Sequence, residues 1–524
     1  MPHGIETELI DRVKPLVRDL VTSHARSLAH LSYADVRVDV SEGKYAASEN
    51  GAAKSSGDDY AFAFGIRVLA GDRMIAPGYF GQGLGKADLA HLAERLRDGL
   101  LSAYRRAMAN AEWKHEIRGK FGGLGHALAD SRLCPIRVTE DVVPAVFEID
   151  PRSVSLDEMI RFTADISRQV AATHAQIRYN YVSTVTQLSR ELFASSEGAL
   201  IDQSFALTQG LCHVVAVGDG TSQELYDVLG HQRGWEILTA GVDDGLIGFP
   251  PFADFALALA REGVELANAP VLPSGDREVT VVTDPHYNTL VSHEIIGHPV
   301  ELDRALKMET AYAGRSWLLK SLGDHQVGKQ VASPLVTAYS DPALPGYGHY
   351  EYDHEGTPAR RVVHIDRGIF KGFMNSRQTA AIFGGEPNGH WKATDAPLVP
   401  LIRMSSTVFA VGERDPLDII GEVDHGYYLV GHKIPSIAES RENFRISARK
   451  VYEIRHGRLG RLYRDGGIMA DTKDYLMKVD AVGRDFRLYP IPNCGKGQPM
   501  QTKKLGNGGP TMRSRAILTG GPSS

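Results

Sequence analysis

The sequence predicts an α+β fold, with an antiparallel sheet and long helices in the N-terminal half and a β-rich C-terminal half that carries one short, chemically dense helix. Three observations predict it. Residues 5–113 read helix, strand, hairpin, helix, an order that pairs antiparallel strands within one unit. Residues 177–217 and 362–454 carry alternating and β-branched residues between turn signals. Pro270, Pro273 and Gly275 break the pattern between the halves, dividing the chain into 1–270, with room for a second break near 118–150, and 271–524.

From Ile5 to about Leu31, apolar residues recur at helical spacing (Ile5, Leu9, Val13, Val17, Leu20, Val21), with Pro15 as a kink or boundary. Ala34–Val40 alternates as a strand, and Tyr60–Leu69, Gly71-Asp72 and Arg73–Tyr79 read as a hairpin. Lys86 to about Trp113 reads as a long amphipathic helix. Gly81, Gly83 and Gly85 in front of it do not make a phosphate loop, which needs glycine where Phe80 stands and a hydroxyl where Ala87 stands. After a glycine- and proline-punctuated connection over 118–143, Ser155 opens a helix to about His174. Strands are expected over Ile177–Leu188, Glu191–Ala194, Ala199–Leu207 and Leu211–Val217, then a helix over Pro251–Asn268. In the second half Val279–Val282 feeds the dense helix, and Val362–Ile365 and Ile369–Met374 flank a turn at Asp366-Arg367-Gly368. Tyr427–Val430, Phe444–Ile446 and Lys450–Ile454 continue the strands. From Gly495 the chain is rich in Gly, Pro, Lys and Ser, and its last ~20 residues are expected to be loosely ordered.

Composition narrows the function classes. Hydrophobic residues at 43%, charged at 23% and 54 glycines describe a globular protein with many turns, and 524 residues bury a large core. A net charge of -6 gives no electrostatic case for nucleic acid or an anionic membrane. Cys134, Cys212 and Cys494 lie far apart, which argues against a disulfide scaffold and for a reducing compartment. Met1–Arg12 has no apolar core behind a positive region, and no run of 18 apolar residues occurs, so the cytoplasm is expected.

The dense stretch is Ser292-His293-Glu294-Ile295-Ile296-Gly297-His298-Pro299. Histidine is the commonest ligand of a catalytic metal, and a glutamate beside the first ligand can serve as general base to a metal-bound water. His293 and His298 are five apart, so on a regular helix they point ~140° away from each other. A widened π-type turn brings them nearly into register. Pro299 cannot donate to the Ile295 carbonyl and Gly297 eases an irregular backbone, so the helix is expected to loosen or end at His298. It is expected to begin at Asp284-Pro285, an N-cap followed by a first-turn proline.

Two imidazoles are one protein ligand short of the usual catalytic set. Two places offer a third: Asn493-Cys494-Gly495-Lys496-Gly497-Gln498, where a lysine stands beside the thiol, and the His349–Gly356 loop with its histidines and carboxylates. Spacing alone leaves both open.

Together these segments resemble the TldD/PmbA family of metallopeptidases, and more closely its metal-bearing TldD branch. The resemblance covers most of the chain. It rests on His293-Glu294-x-x-x-His298, on Asp353-His354-Glu355-Gly356 with Arg361 following, on Arg403-Met404-Ser405-Ser406-Thr407 and on Cys494-Gly495-Lys496, while Phe64–Leu69 is similar to a strand of the family's N-terminal half. The resemblance implies a zinc site made by His293, His298 and Cys494, with Glu294 as catalytic base. It implies also a related TldE/PmbA-like subunit without the metal motif, or a second copy of this chain, with which a dimer encloses a chamber for unfolded or modified peptides. Three departures point to a divergent substrate. The family's C-G-K-x-G-Q is one residue shorter here, His432–Ile437 stands where relatives have a glycine-rich G-G-x-V-D segment, and Arg403–Thr407 stands for R-M-T-N-T.

The expected activity is therefore hydrolysis of peptides at a single zinc, which activates water and polarises the scissile carbonyl. Glu294 moves the proton, and a neighbouring group steadies the oxyanion, with Tyr352, His354 and Arg403 as candidates for substrate contact. A thiolate suits zinc over magnesium or calcium, with iron and cobalt as other metals of such a site. A substrate strand adding to a sheet edge gives affinity without demanding sequence. Two other readings use the same residues: a zinc hydrolase of small amides, and a scaffold or regulatory subunit whose closed four-ligand metal is structural.

Overall fold

The computed structural model describes residues 6–121, 130–218, 221–311 and 314–521. It is α+β throughout. Ile5 and part of the 118–143 connection lie outside the described residues.

The N-terminal half is built on one sheet. Its strands are β1 (Leu31–Glu49), β2 (Ala52–Ala70), β3 (Ala76–Gly83), β4 (Glu140–Val143), β5 (Ile177–Ser195), β6 (Leu200–Gly218) and β7 (Thr221–His231), in the order β3-β2-β1-β5-β6, with β4 and β7 both paired to β6. All pairs are antiparallel except β4 with β6. Alternation divides the labour of β1. Ala34, Val36, Val38 and Val40 pack with helices α1 (Leu9–Asp19) and α2 (Leu92–Phe121). Asp35, Arg37 and Asp39 point the other way, towards the C-terminal half.

Several strands are longer than the sequence pattern predicts. The expected pairs Ile177–Leu188 with Glu191–Ala194, and Ala199–Leu207 with Leu211–Val217, are single strands, because Ser189-Arg190 and Thr208-Gln209-Gly210 keep a ladder on both sides. β7 was not expected. The helix from Lys86 opens with a 3-10 turn over Lys86–His91, whereas α3 (Leu156–Thr173) starts as expected on Ser155, whose hydroxyl accepts from the Glu158 amide. Pro15 lies inside α1, and a π-type turn, Leu20–His24, follows that helix.

In the C-terminal half, Glu278–Thr283, His425–Ile437, Asn443–Arg455, Gly467–Asp471 and Met512–Thr519 close into a ring. A second sheet runs Ile369–Phe370, Val362–Asp366, Ala338–Ser340, Ser406–Phe409, Gln501–Gly509, Arg487–Lys496. The expected loose tail is a correction: Gln501–Gly509 and Met512–Thr519 are central strands of these two sheets. Glycine there serves close approach, since a Cβ on Gly508 would meet the Arg487 carbonyl oxygen at 2.1 Å. The dense helix leaves the end of Glu278–Thr283 and lies in the largest apolar core, with Tyr287, Leu290, Val291, Ile295 and Ile296 buried.

Candidate metal centre

The helix begins at Pro285, and the Asp284 carboxylate accepts from the Tyr287 amide at 2.6 Å. Its regular part ends at Val291, and Ser292–Gly297 forms a π-type turn in which the His298 amide donates to the His293 carbonyl at 3.2 Å. This widening brings residues five apart onto one face. The two imidazoles stand with ring centroids 4.7 Å apart and planes at 85°. Gly297 has a tighter reason than backbone freedom, because a Cβ there would meet Met404 Sδ at 2.0 Å.

Cys494 comes to this helix from the strand Arg487–Lys496, at a register irregularity between Ile491 and Cys494 against Gln501–Gly509. Its Sγ lies 3.8 Å from His298 Nε2. Donor atoms of His293, His298 and Cys494 all lie within 4.8 Å of one another, and all three residues are buried. Among the described residues this is the one such cluster of potential metal ligands. The His349–Gly356 loop, the other place read from the sequence, lies elsewhere.

Each donor is held from behind. Asn507 Oδ1 lies 3.0 Å from His293 Nδ1, and Glu301 Oε2 lies 3.2 Å from His298 Nδ1, so each imidazole donates there and presents Nε2. Glu301 also takes bonds from Arg304 Nε at 3.0 Å and Lys496 Nζ at 3.3 Å, and Lys496 reaches Asp303 Oδ1 at 2.7 Å and the Ile402 carbonyl at 2.8 Å. The lysine two residues after Cys494 thus acts through Glu301 on His298. Burial and these charges hold the Glu301 carboxyl well below its ordinary range: burial raises it, and Lys496, Arg304 and His298 outweigh the burial.

The electrostatics of the cluster are those of a thiolate beside two imidazoles and a guanidinium. Burial raises the Cys494 pKa, but His293, His298 and Arg403 together hold it well below the ordinary thiol value. Burial lowers His293, and the facing Cys494 thiolate reverses this and pushes it up to about 9. Glu294 is lowered, because His298, His293 and Arg441 outweigh its burial, so it stands as a carboxylate. The guanidinium of Arg441 donates from Nη1 to Glu294 Oε2.

His293 and Glu294 reach a cleft of about 580 Å³, lined also by Leu290, His286, His432 and Arg449. A larger cavity, about 880 Å³, lies between the two halves of the chain and touches neither residue. The two share Pro492-Asn493, the residues that lead into Cys494.

The three residues expected to touch substrate stand elsewhere. Tyr352 Oη donates to Asp141 on β4 at 2.7 Å, and His354 Nε2 lies 3.1 Å from Glu191 on β5. With Glu355, which accepts from Arg67 of β2 at 2.8 Å, they tie the C-terminal half to the first sheet. Arg403 lines the larger cavity, and its guanidinium donates to the carbonyls of Cys494 and, at 3.1 Å, Gln501, fixing the chain that carries the thiol. Sequence reasoning missed Glu301, Arg441 and Asn507. Only Glu301 had a local signal, a carboxylate three residues after a histidine.

Residues 276–521 match the family model described as the PmbA/TldA metallopeptidase C-terminal domain. The chain is 29% identical over 340 residues to a metalloprotease of Methanothermobacter thermautotrophicus, which covers 65% of this chain and 69% of that one. It is 24% identical over 368 residues to a zinc metalloprotease TldD homolog of Saccharolobus solfataricus, covering 70% of this chain and 76% of the relative. In fold it resembles TldE from Thermococcus kodakarensis, with a TM-score of 0.68 and 17% identity over 95% of this chain and 98% of that one.

Proposed function

Because this chain belongs to the TldD/PmbA family, we propose that it is a zinc-dependent peptidase acting on unfolded or modified peptides. The observation that carries this reading is the meeting of two imidazoles and a thiolate beside a carboxylate that faces an open cleft. The donor set fits zinc, since thiolate with imidazole favours it over magnesium or calcium. A zinc ion bound there supplies a Lewis acid for the scissile carbonyl and a water of lowered pKa.

The chain's own residues hold and move the rest. Arg441 fixes Glu294 through Oε2, leaving Oε1 to take the proton of the attacking water and pass it to the leaving amine. Asn507 and Glu301 set the ring orientations of His293 and His298. Three donors leave a coordination position open, which supports catalysis over the closed site of a structural metal. Among the described residues, the strand His425–Ile437 has no strand neighbour on the helix side beyond Leu429, and this edge suits an added peptide strand. A TldE-like subunit, or a second copy of this chain, would close the cleft into a chamber, and the shared fold supports such a pairing. Among the described residues no helix is long and apolar enough to cross a membrane, and the three free cysteines suit the cytoplasm.

Metal content of protein purified without added metal, measured for wild type and Cys494→Ala alongside hydrolysis of an unstructured peptide, tests this. About one zinc per chain and cleavage in the wild type, both lost in the variant, is the expected result. Equal zinc in both proteins would remove Cys494 from the site. Zinc with hydrolysis of small amides only, or of nothing, would replace the peptidase by one of the two other readings.

A further inference from the structure

The cleft in front of Glu294 runs back along the helix that carries it. His286 stands seven residues before His293, ~10.5 Å away at the helical rise, and both line the same cleft. The His286 ring lies 4.5 Å from that of Tyr489, at 34° between planes, and 4.9 Å from that of His432, at 59°. His286 and His432 therefore line the far end of the cleft together, and Tyr489, from a third segment, packs against the His286 ring. Leu225, Leu290, Ile434 and Pro435 line the space around them, and Ile434 is 67% exposed. Arg449, the nearest guanidinium, is taken up by Asp227 and Glu262. Burial pushes the pKa of His286 down and that of His432 to about 3, so both rings are neutral at physiological pH.

Resting on the peptidase reading above, we propose that His286 and His432, with Tyr489 packed against the His286 ring, form a subsite for an aromatic side chain of the peptide substrate. An extended chain advances about 3.3 Å per residue, so ~10.5 Å places that side chain about three residues from the bond that is cut. Neutral, offset rings stack on an incoming ring and reward it beyond the area it covers. An aliphatic side chain gains the area alone. His432 stands where the resemblance places a glycine-rich segment, so the subsite belongs to this chain's own sequence.

The test uses unstructured peptides in which a single Phe, Leu, Glu or Ala is walked across four positions on either side of the cleaved bond. Affinity is read on zinc-loaded Glu294→Gln by fluorescence anisotropy. Cleavage is read on the zinc-loaded wild type, with mass spectrometry of the products fixing the position. Phe is expected to exceed Leu by about 2- to 12-fold at one position about three residues from the cut. His432→Ala should bring the Phe-to-Leu ratio to near one, and His432→Phe should keep it, with zinc content unchanged in both. Cleavage with equal Phe and Leu ratios overturns the subsite and leaves the peptidase. A preference for Glu, carried by Lys433 on the same cleft wall, overturns it as well. Aromatic-selective binding without cleavage keeps the subsite and overturns the peptidase.

Discussion

Arg441 and Glu294 are 147 residues apart in sequence and paired in the buried wall of the cleft, guanidinium Nη1 to carboxylate Oε2. The arginine occupies the tight turn between the strands His425–Ile437 and Asn443–Arg455, with φ at 67°. Its amide donates to the Ala438 carbonyl at 2.9 Å and its carbonyl accepts from Thr472 at 2.7 Å, so the turn is anchored before it reaches across to the helix. Arg441→Met releases the carboxylate to other rotamers. Turnover should fall by about 10²-fold at constant zinc content, the scale of a misplaced catalytic group. Arg441→Lys should recover part of it. Full turnover in Arg441→Met would show that the pair does not orient the base.

Glu294→Gln keeps the size of the side chain and removes its capacity to take a proton. Zinc should remain at about one per chain and kcat should drop by about 10²- to 10⁴-fold. Steady-state kinetics with metal analysis on the same sample checks both halves of this statement. Normal kcat would take the role of base away from Glu294.

Asn507→Leu removes the acceptor at His293 Nδ1, 3.0 Å away, while leaving the donor atoms of the cluster in place. Zinc affinity should weaken by about 10- to 100-fold, as for other lost partners of ligand imidazoles. Competition with a zinc chelator measures this directly. Unchanged affinity would mean that packing alone fixes the ring.

Buried imidazoles make stability depend on pH. Burial, partly offset by the bond to the Gly372 carbonyl, pushes His364 down to about 4, so it is neutral in the folded chain, whereas an unfolded histidine titrates near ~6.5. Between those values the unfolded state binds the extra proton, so the contribution is complete above ~6.5 and is lost as the pH falls, at about 1.4 kcal/mol per pH unit. Asp39 and Asp353, which burial pushes up, act in the opposite sense, so the total profile mixes both signs. His364→Gln isolates one contributor. Urea unfolding at pH 7.5 and 5.5 should show a smaller loss on acidification in this variant than in the wild type, by about 1.4 kcal/mol. Equal losses would place a proton on His364 in the folded state.

Local chemistry was legible in the sequence, and long-range pairing was not. Asp284-Pro285 carries its own capping chemistry, so the helix start could be read directly. The five-residue spacing of His293 and His298 ahead of Pro299 led to the π-type turn for the same reason. Nothing near Cys494 showed where it would lie, because its position depends on a strand irregularity set by pairing with Gln501–Gly509. Arg441 reaches Glu294 only once the ring of strands has closed, so no local pattern marks it. Tyr352 and His354 lie in a segment rich in ionisable residues that reads as a source of substrate contacts, and the fold shows the same side chains bonded to Asp141 and Glu191 of the first sheet. The glycine- and lysine-rich end looked loose because composition does not register the neighbours that order Met512–Thr519.

The distance of 196 residues between His298 and Cys494 has a consequence during synthesis. A nascent chain that has emerged as far as the helix carries two imidazoles and no thiolate, and the strand Met512–Thr519 that completes the ring around that helix is made later still. Domains fold as they leave the ribosome at about 5–20 residues per second, so roughly 10–40 s separate the first donors from the last. Throughout that interval the polypeptide holds two of the three side chains of the cluster and lacks the third. The order of the three side chains along the sequence therefore delays completion of the cluster until translation has passed the last of them.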